Sequence, residues 1–222
     1  MTFGPLSTTT YVANGVSFGM VRLPPGRFMD GEHRTRREIF VSRPFEIGIK
    51  PVTQALWRAV MGSSPAEFKG EDRPVEMVSH DDIQAFLARL PALGLTGFRL
   101  PTEAEWAWAA RCGTPTRWVG TDRVKSVGVV DAKQTELVAG LLSGSSGAFD
   151  QSGNVMEWAV DWYHRSPEPG IDPRGPASGS ARVARGGSWY GVPEHARVPI
   201  RGMSLPDYRF YSLGFRLLRA AS

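Results

Sequence analysis

Between Arg185-Gly-Gly-Ser-Trp189 and Leu213-Gly-Phe-Arg216 the chain carries a stretch whose composition fits neither helix nor strand. It places Tyr190, Val192, Ile200, Met203, Leu205, Tyr208, Phe210 and Tyr211 with no sustained helical or strand period, and Pro193, Pro199 and Pro206 interrupt it. The flanks read as buried scaffold. Paired glycines beside a tryptophan allow close backbone approach, and Gly214-Phe-Arg-Leu-Leu218 has the apolar density of a core strand. An irregular aromatic stretch held between two packed strands is what a binding surface requires, large amphipathic side chains on a rigid base. The same composition would also serve as the loop's own small core.

The 222 residues suffice for one large domain or two small ones, and 25 glycines with 17 prolines point to abundant turns and little helix. The single Cys112 excludes an internal disulfide framework, a cysteine-based metal cluster and a two-thiol redox pair. A formal charge of +4 permits attraction to nucleic acid, but the basic residues are scattered. The one cluster, His33-Arg-Thr-Arg-Arg37, reads as a solvated hairpin tip, so no nucleic-acid partner is expected. Arginine dominates the basic residues, and Asn occurs only at Asn14 and Asn154, usage compatible with a GC-rich bacterial genome or a thermophile. Met1 to Tyr11 lacks a targeting pattern and no apolar run is long enough to span a bilayer. The default expectation is a cytoplasmic protein without membrane insertion, with surface display by another route left open.

In chain order, Phe18 to Phe28 and Arg37 to Ile49 read as two strands joined by a charged turn around Asp30-Gly31. Thr53 caps a helix that carries Leu56, Trp57, Val60 and Met61 on one face. Ser79 caps a second, with acidic residues in the first turn and Ile83, Phe86, Leu87 and Leu90 at core spacing. Phe98 to Leu100 is a short strand, and Thr102 with Glu105 forms a capping box on a short helix that turns Trp106 and Ala109 inward. Glu103 and Glu105 do not share a helix face, which favours capping and ion pairing over acid/base chemistry.

Phe98-Arg-Leu-Pro-Thr-Glu-Ala-Glu-Trp106, Ser152-Gly-Asn-Val-Met-Glu-Trp158, Arg185-Gly-Gly-Ser-Trp189 and Gly214-Phe-Arg216 together resemble the formylglycine-generating-enzyme (sulfatase-modifying factor) family, from about Met20 to Arg219. The resemblance implies a single α+β domain over residues 1–222 with a C-type-lectin-type fold: a small twisted antiparallel sheet, two main helices, much irregular structure, and terminal strands close together. It also implies where the oxidase chemistry would sit. Laid on Gly186 to Trp189, the family's copper-binding cysteines fall on Gly191 and Ala196, neither of which can bind copper or perform thiol chemistry. The sulfoxide-forming branch uses a His-based iron site on a separate domain, for which this chain has no matching pattern. A non-enzymatic protein is therefore expected, with an enzyme of either kind or its inactive relative as the alternative.

The last stretch resembles a second group on the same fold, the variable proteins of diversity-generating retroelements, in which template adenines are mutated before the copy is pasted into the gene. Non-enzymatic relatives carry Asn runs here. The matching positions in this chain, within a variable region of about 186–216, are Tyr190, Gly191, Val192, His195, Ile200, Gly202, Met203, Ser204, Leu205, Tyr208, Phe210, Tyr211 and Ser212. Changing only the adenines of an Asn codon gives every one of these residue types except the methionine of Met203. Pro193, Arg197, Arg201, Pro206, Asp207 and Arg209 stay as the family has them. The function so implied is display of a changeable surface to an unknown protein or other macromolecular ligand, with no required cofactor; a fixed interaction module is the further alternative. Tyr190, Tyr208, Phe210 and Tyr211 are the expected anchors, and His195, Ser204 and Ser212 the expected hydrogen-bonding positions. Family enzymes often hold calcium near the Ser-Gly-Asn motif, which makes Asn154 and Glu157 candidate ligands, against a turn for Asn154 and an arginine partner such as Arg185 for Glu157. Thr114 to Phe149 departs from the family pattern, and Ser143 to Gly147 reads as a flexible surface loop.

Overall fold

The computed structural model describes residues 5–166 and 168–221. The expected hairpin is present, with each arm divided in two. Strands β2 (Val16–Leu23) and β5 (Phe45–Gly48) pair antiparallel with Met20 opposite Gly48, and β3 (Gly26–Asp30) and β4 (Arg37–Val41) continue the ribbon with Gly26 opposite Val41. Pro24-Pro25 divides one arm, because proline offers the ladder no N–H. One more strand precedes them. β1 (Thr8–Ala13) folds back on β2 through Asn14-Gly15, both residues at positive φ, the two-residue turn that matches the twist of paired strands.

The three caps hold as the sequence predicts. In α1 (Gln54–Met61) the Thr53 hydroxyl accepts from Leu56 N; in α2 (His80–Arg89) Ser79 and Asp82 form a capping box; in α3 (Glu103–Arg111) Thr102 and Glu105 form another. The expectation of two main helices is corrected to three, because α3, at nine residues, is as long as its companions. Burial explains its composition. Every α3 residue except Glu105 is buried, and four alanines let sheet and loops approach from all sides.

Five further short strands complete the sheets together with β6 (Phe98–Arg99): β7 (Met156–Trp162), β8 (Gly170–Ile171), β9 (Arg182–Arg185), β10 (Arg201–Ser204), and β11 (Leu213–Gly214). The last, β12 (Leu218–Ala220), lies between β5 and β6 in a five-stranded sheet of order β1-β2-β5-β12-β6, so the two ends of the chain meet as the family resemblance implies. The single antiparallel sheet expected is instead three small sheets. The second has the order β10-β9-β7-β11 and the third β3-β4-β8, each with one parallel pair.

Two apolar cores flank the five-stranded sheet's neighbourhood. One packs α1 and α2 against the C-terminal stretch, with Trp57 stacked on Phe86 at 5.2 Å and both edged by Phe215. The other surrounds Trp106 and Trp108 of α3. Gly26 is required there, since a Cβ would lie 2.0 Å from the Trp108 ring. Beside this core Arg216 donates through two nitrogens to the Glu157 carboxylate (2.7 and 3.0 Å), both residues fully buried, and Trp106 Nε1 adds a third bond. Replacing Arg216 with leucine strands the Glu157 charge, and denaturant unfolding should show a loss of about 3–5 kcal/mol. A loss under about 1 kcal/mol would show that the carboxylate finds another partner.

Candidate functional site

The stretch after β9 leaves the sheet through Gly186 and Gly187, at φ of 95° and 65°. A Cβ on Gly187 would lie 2.7 Å from the Ala196 backbone, so only glycine lets the chain cross there. A 3-10 turn over Pro193–Ala196 follows, and then β10 pairs with β9, Arg201 opposite Arg185 and Ser204 opposite Arg182. This strand corrects the reading of the whole stretch as irregular. Its signal is absent from the side chains because four residues, one of them Gly202, are too few to show alternation, and its position is set by main-chain pairing to β9.

The residues between the thirteen positions tie the stretch down. Arg197 pairs with Glu32 and Arg201 with Glu103, while Arg209 donates through Nε and one terminal nitrogen to the two Asp82 oxygens at 2.7 and 2.8 Å. Main-chain bonds add to these clamps: Met77 N to Phe210 O (3.1 Å) and His80 N to Pro206 O (2.9 Å). The region 114–149, unreadable in the sequence, is a bracket behind the stretch. Asp131 N and Ala132 N donate to Gly191 O and Trp189 O, Trp118 Nε1 donates to Pro193 O, and Trp118 and Val127 pack on Ala196. Ser143 to Gly147 is closed by bonds between Gly144 and both Gly147 and Ala148, with Ser146 buried.

The thirteen positions divide by exposure. Tyr190 is 65% exposed, and Val192, His195, Met203, Leu205 and Tyr208 also face outward. Gly191, Ile200, Gly202, Ser204, Phe210 and Tyr211 are half-buried. Ser212 departs from expectation: it is 4% exposed and its carbonyl accepts from Met156 N, so it offers nothing to a ligand. The glycines at Gly191 and Gly202 are not there for backbone reasons. Neither has a positive φ, a Cβ on Gly191 would meet nothing within 3.4 Å, and a Cβ on Gly202 would meet the flexible tip of Met156 at 2.4 Å and the Ala184 carbonyl oxygen at 3.3 Å.

Four of the positions build a continuous aromatic band. Tyr208 stacks on Phe210, Phe210 lies against Tyr211 at 4.0 Å, and Tyr211 meets both Tyr190 and Trp189. Trp189 fixes the band from beneath, donating Nε1 to Tyr211 O at 3.2 Å, and meets Phe68 edge-on at 5.2 Å. Phe68 is the residue that sequence reasoning misses; a lone aromatic in a polar loop gives no sign of the partner that folding brings to it. On another side, His195, Ile200 and Gly202 line a pocket of about 330 Å³ with Met156, Gly187 and Arg201.

The candidate calcium ligands are placed otherwise. Both Glu157 oxygens are taken by Arg216 and Trp106, and the neighbouring guanidinium opposes a second cation. The arginine partner is thus Arg216, whereas Arg185 pairs with Asp30 and Glu103. The Asn154 amide clips both main-chain groups of Glu136. This pair does not fit an oxygen cage for calcium, and among the described residues no three acidic, histidine or cysteine side chains converge on a metal position. Cys112 is buried at the end of α3, where burial pushes its thiol up to about 11, far from a reactive thiolate.

The profile of the sulfatase-modifying factor enzyme 1-like domain matches residues 13–221. The chain belongs to this family. It is 28% identical to the formylglycine-generating enzyme of Bos taurus over 95% of its own length and 60% of the enzyme's, and 33% identical to that of Thermomonospora curvata over 74% and 61%. The chain therefore spans about three fifths of these enzymes. Among solved structures it is similar to Treponema denticola variable protein 1, at 30% identity and a TM-score of 0.89, covering 96% of this chain and 99% of that one. PvdO from Pseudomonas aeruginosa shares the fold at 22% identity and a TM-score of 0.82, covering 96% and 98%.

Two buried groups of this family member titrate in opposite senses. Burial, with the Arg182 charge beside it, lowers His80 from 6.5 to about 4. The unfolded chain therefore takes up a proton that the fold refuses, and stability falls as pH drops from about 6.5 to 4. Burial raises Asp161 from 3.8 to about 6 against the bond it accepts from Glu103 N, so its contribution grows as pH falls through about 6. Each effect is on the order of 3 kcal/mol and they offset. Asp161→Asn should leave His80 unopposed, and its melting temperature should fall from pH 6.5 to 4.5 more steeply than the parent's. Parallel pH profiles of the two proteins would remove Asp161 from the account.

Proposed function

We propose that this chain is a non-enzymatic display protein, and that its outward positions between Tyr190 and Tyr211 form a ligand surface whose side chains are exchanged by a retroelement while the fold stays constant. One observation carries the reading. Fixed and changeable residues alternate along the stretch, and every fixed arginine is spent on a carboxylate elsewhere in the fold, Arg197 on Glu32, Arg201 on Glu103 and Arg209 on Asp82, whereas the interleaved residues face outward or sit at the margin. Side chains can then change without taking a fold contact with them. The glycines agree with this division: Gly187 and Gly214 would drive a Cβ into backbone, at 2.7 and 2.4 Å, while Gly191 and Gly202 have space or a yielding neighbour. Similarity to Treponema denticola variable protein 1 over nearly the whole of both chains supports the same reading.

The ligand is a macromolecule that buries the aromatic band. Tyr190, Tyr208, Phe210 and Tyr211 supply contact area at small entropic cost, and a partner covering about 800 Å² per side would span them. The relatives named formylglycine-generating enzyme raise the alternative of an oxidase. Against it, the positions of the family's active cysteines hold Gly191 and Ala196, and the chain's one thiol, on Cys112, is buried elsewhere.

Sequencing the gene's 3′ end and its flanks across the source population tests the proposal. Variation confined to the thirteen positions, beside an Asn-rich near-copy and a reverse-transcriptase gene, supports it. An invariant segment with neither neighbour overturns diversification and leaves a fixed interaction module. Stability offers a second check without any partner. Tyr190→Ala combined with Tyr208→Ala should change unfolding free energy by no more than about 0.5 kcal/mol each. Arg201→Leu, which removes one of the two guanidiniums on the buried Glu103 and leaves Arg185 as the other, should cost about 1.5–3 kcal/mol. Once a partner is in hand, truncating a central tyrosine should weaken binding by at least about 2 kcal/mol.

A further inference from the structure

A second concavity, of about 620 Å³, shares no lining residue with the pocket that holds His195. Its walls come from the β3–β4 tip, the end of α3 with the loop after it, and Arg197 and Pro199. Five arginines line it, Arg27, Arg36, Arg111, Arg117 and Arg197, with Glu32 as the one carboxylate among the lining residues. Four positive charges in excess equal the formal net charge of the whole chain, +4, so the rest of the molecule is balanced and the basic character is concentrated here. The basic tip that reads in the sequence as merely solvated is one wall of this cleft.

The state of the arginines points to a ligand. Arg197 is held by Glu32, and Arg27 has a loose exposed contact to Glu38 at 3.8 Å. Arg36 and Arg117 are exposed and have no carboxylate within ion-pair distance among the described residues. Arg111 is the decisive one. It is only 8% exposed, its guanidinium is held by a single bond to Thr116 O (2.6 Å), its Nε has no partner, and no carboxylate pairs with it. Burial outweighs the attraction of Asp30 and holds its pKa below the usual guanidinium range. A buried, unpaired guanidinium in the wall of an open basic cleft costs stability unless an anion completes it.

We infer that this cleft binds a small ligand bearing clustered tetrahedral oxyanions, phosphate or sulfate esters, with Arg111 at its base and Arg36 and Arg117 at its mouth. Guanidinium forks match such oxygens two at a time, and the volume is that of a small-molecule site. The charges gather in one hollow and form no stripe along which a polynucleotide backbone would lie. Phe28, Met29, Pro115 and Pro199 give the carbon skeleton apolar walls. None of the lining residues is among the thirteen changeable positions, so the site would persist whatever the display surface becomes, and its test does not depend on the display reading.

Calorimetric titration of the full chain with inorganic pyrophosphate at low salt checks the inference, with inorganic sulfate, citrate and a short DNA duplex as separate arms. Saturable binding of pyrophosphate, or of sulfate if the natural ester is a sulfate, is expected, together with a raised melting temperature. Arg36→Ala with Arg117→Ala removes exposed side chains only and should weaken that binding about tenfold or more. Arg111→Met should abolish it and, by removing the unpaired buried charge, leave the free protein at least as stable. The inference is overturned by no saturable binding, by unchanged affinity in the double variant, by citrate binding as tightly as either oxyanion, or by the duplex binding more tightly than any of them.

Discussion

The Glu103 carboxylate is the junction on which the stretch from Tyr190 to Ser212 depends. It lies in the first turn of α3, where the helix dipole favours a negative charge, and it receives Arg185 from β9 and Arg201 from β10. Arg185, fully buried, also reaches Asp30 at 3.3 Å and donates to Val198 O, and Asp30 binds Arg37 at 2.7 Å. Hairpin tip, central helix and the strands β9 and β10 therefore meet in one ionic network. The arginine charges hold Asp30 and Glu103 below the usual carboxylate range although burial alone would raise them, so attraction prevails over desolvation for both. Such a network is no bargain in stability compared with an apolar core. Its value is geometric, because a bidentate guanidinium fixes direction as well as distance.

That choice of glue leaves the outward side chains of the stretch largely free of fold contacts. If the stretch were held by its own apolar side chains, each exchange would be a core mutation costing a few kcal/mol. Here the backbone is held by arginines paired with carboxylates elsewhere in the fold, by pairing to β9, and by the bracket of residues 114–149. The outward side chains add little to folding. The basic cleft is likewise built from residues outside the thirteen positions.

Much of this was legible in the residues and some of it could not be. Caps are local, and Thr53, Ser79 with Asp82, and Thr102 with Glu105 read correctly because each needs only three or four neighbours. The motif flanks also read correctly, Arg185 to Trp189 and Leu213 to Arg216 being buried throughout. What escaped was long-range. Arg216 rather than Arg185 takes Glu157, Phe68 joins Trp189 across more than a hundred residues, and β10 exists through its partner strand. The region 114–149 has almost no regular structure, so neither period nor caps mark it, and its role resides in main-chain bonds that composition does not encode. The turn at Asn14-Gly15 was within reach, since that dipeptide is a strong hairpin signal, but the polar strand before it carries no apolar alternation.

Burial grades the thirteen positions. Tyr190, Val192, Met203, Leu205 and Tyr208 touch the fold least and can take any size of side chain. Phe210 and Tyr211 are half-buried, and Tyr211 is packed on Trp189, so a small residue there opens the band and a charged one meets aromatic faces. Ser212 lies at the edge of β11 with its main chain bonded to Met156, and anything much larger must displace packed neighbours. Tolerance of substitution is therefore wide at the turn and around Met203, and narrows to small residues where the chain re-enters the core.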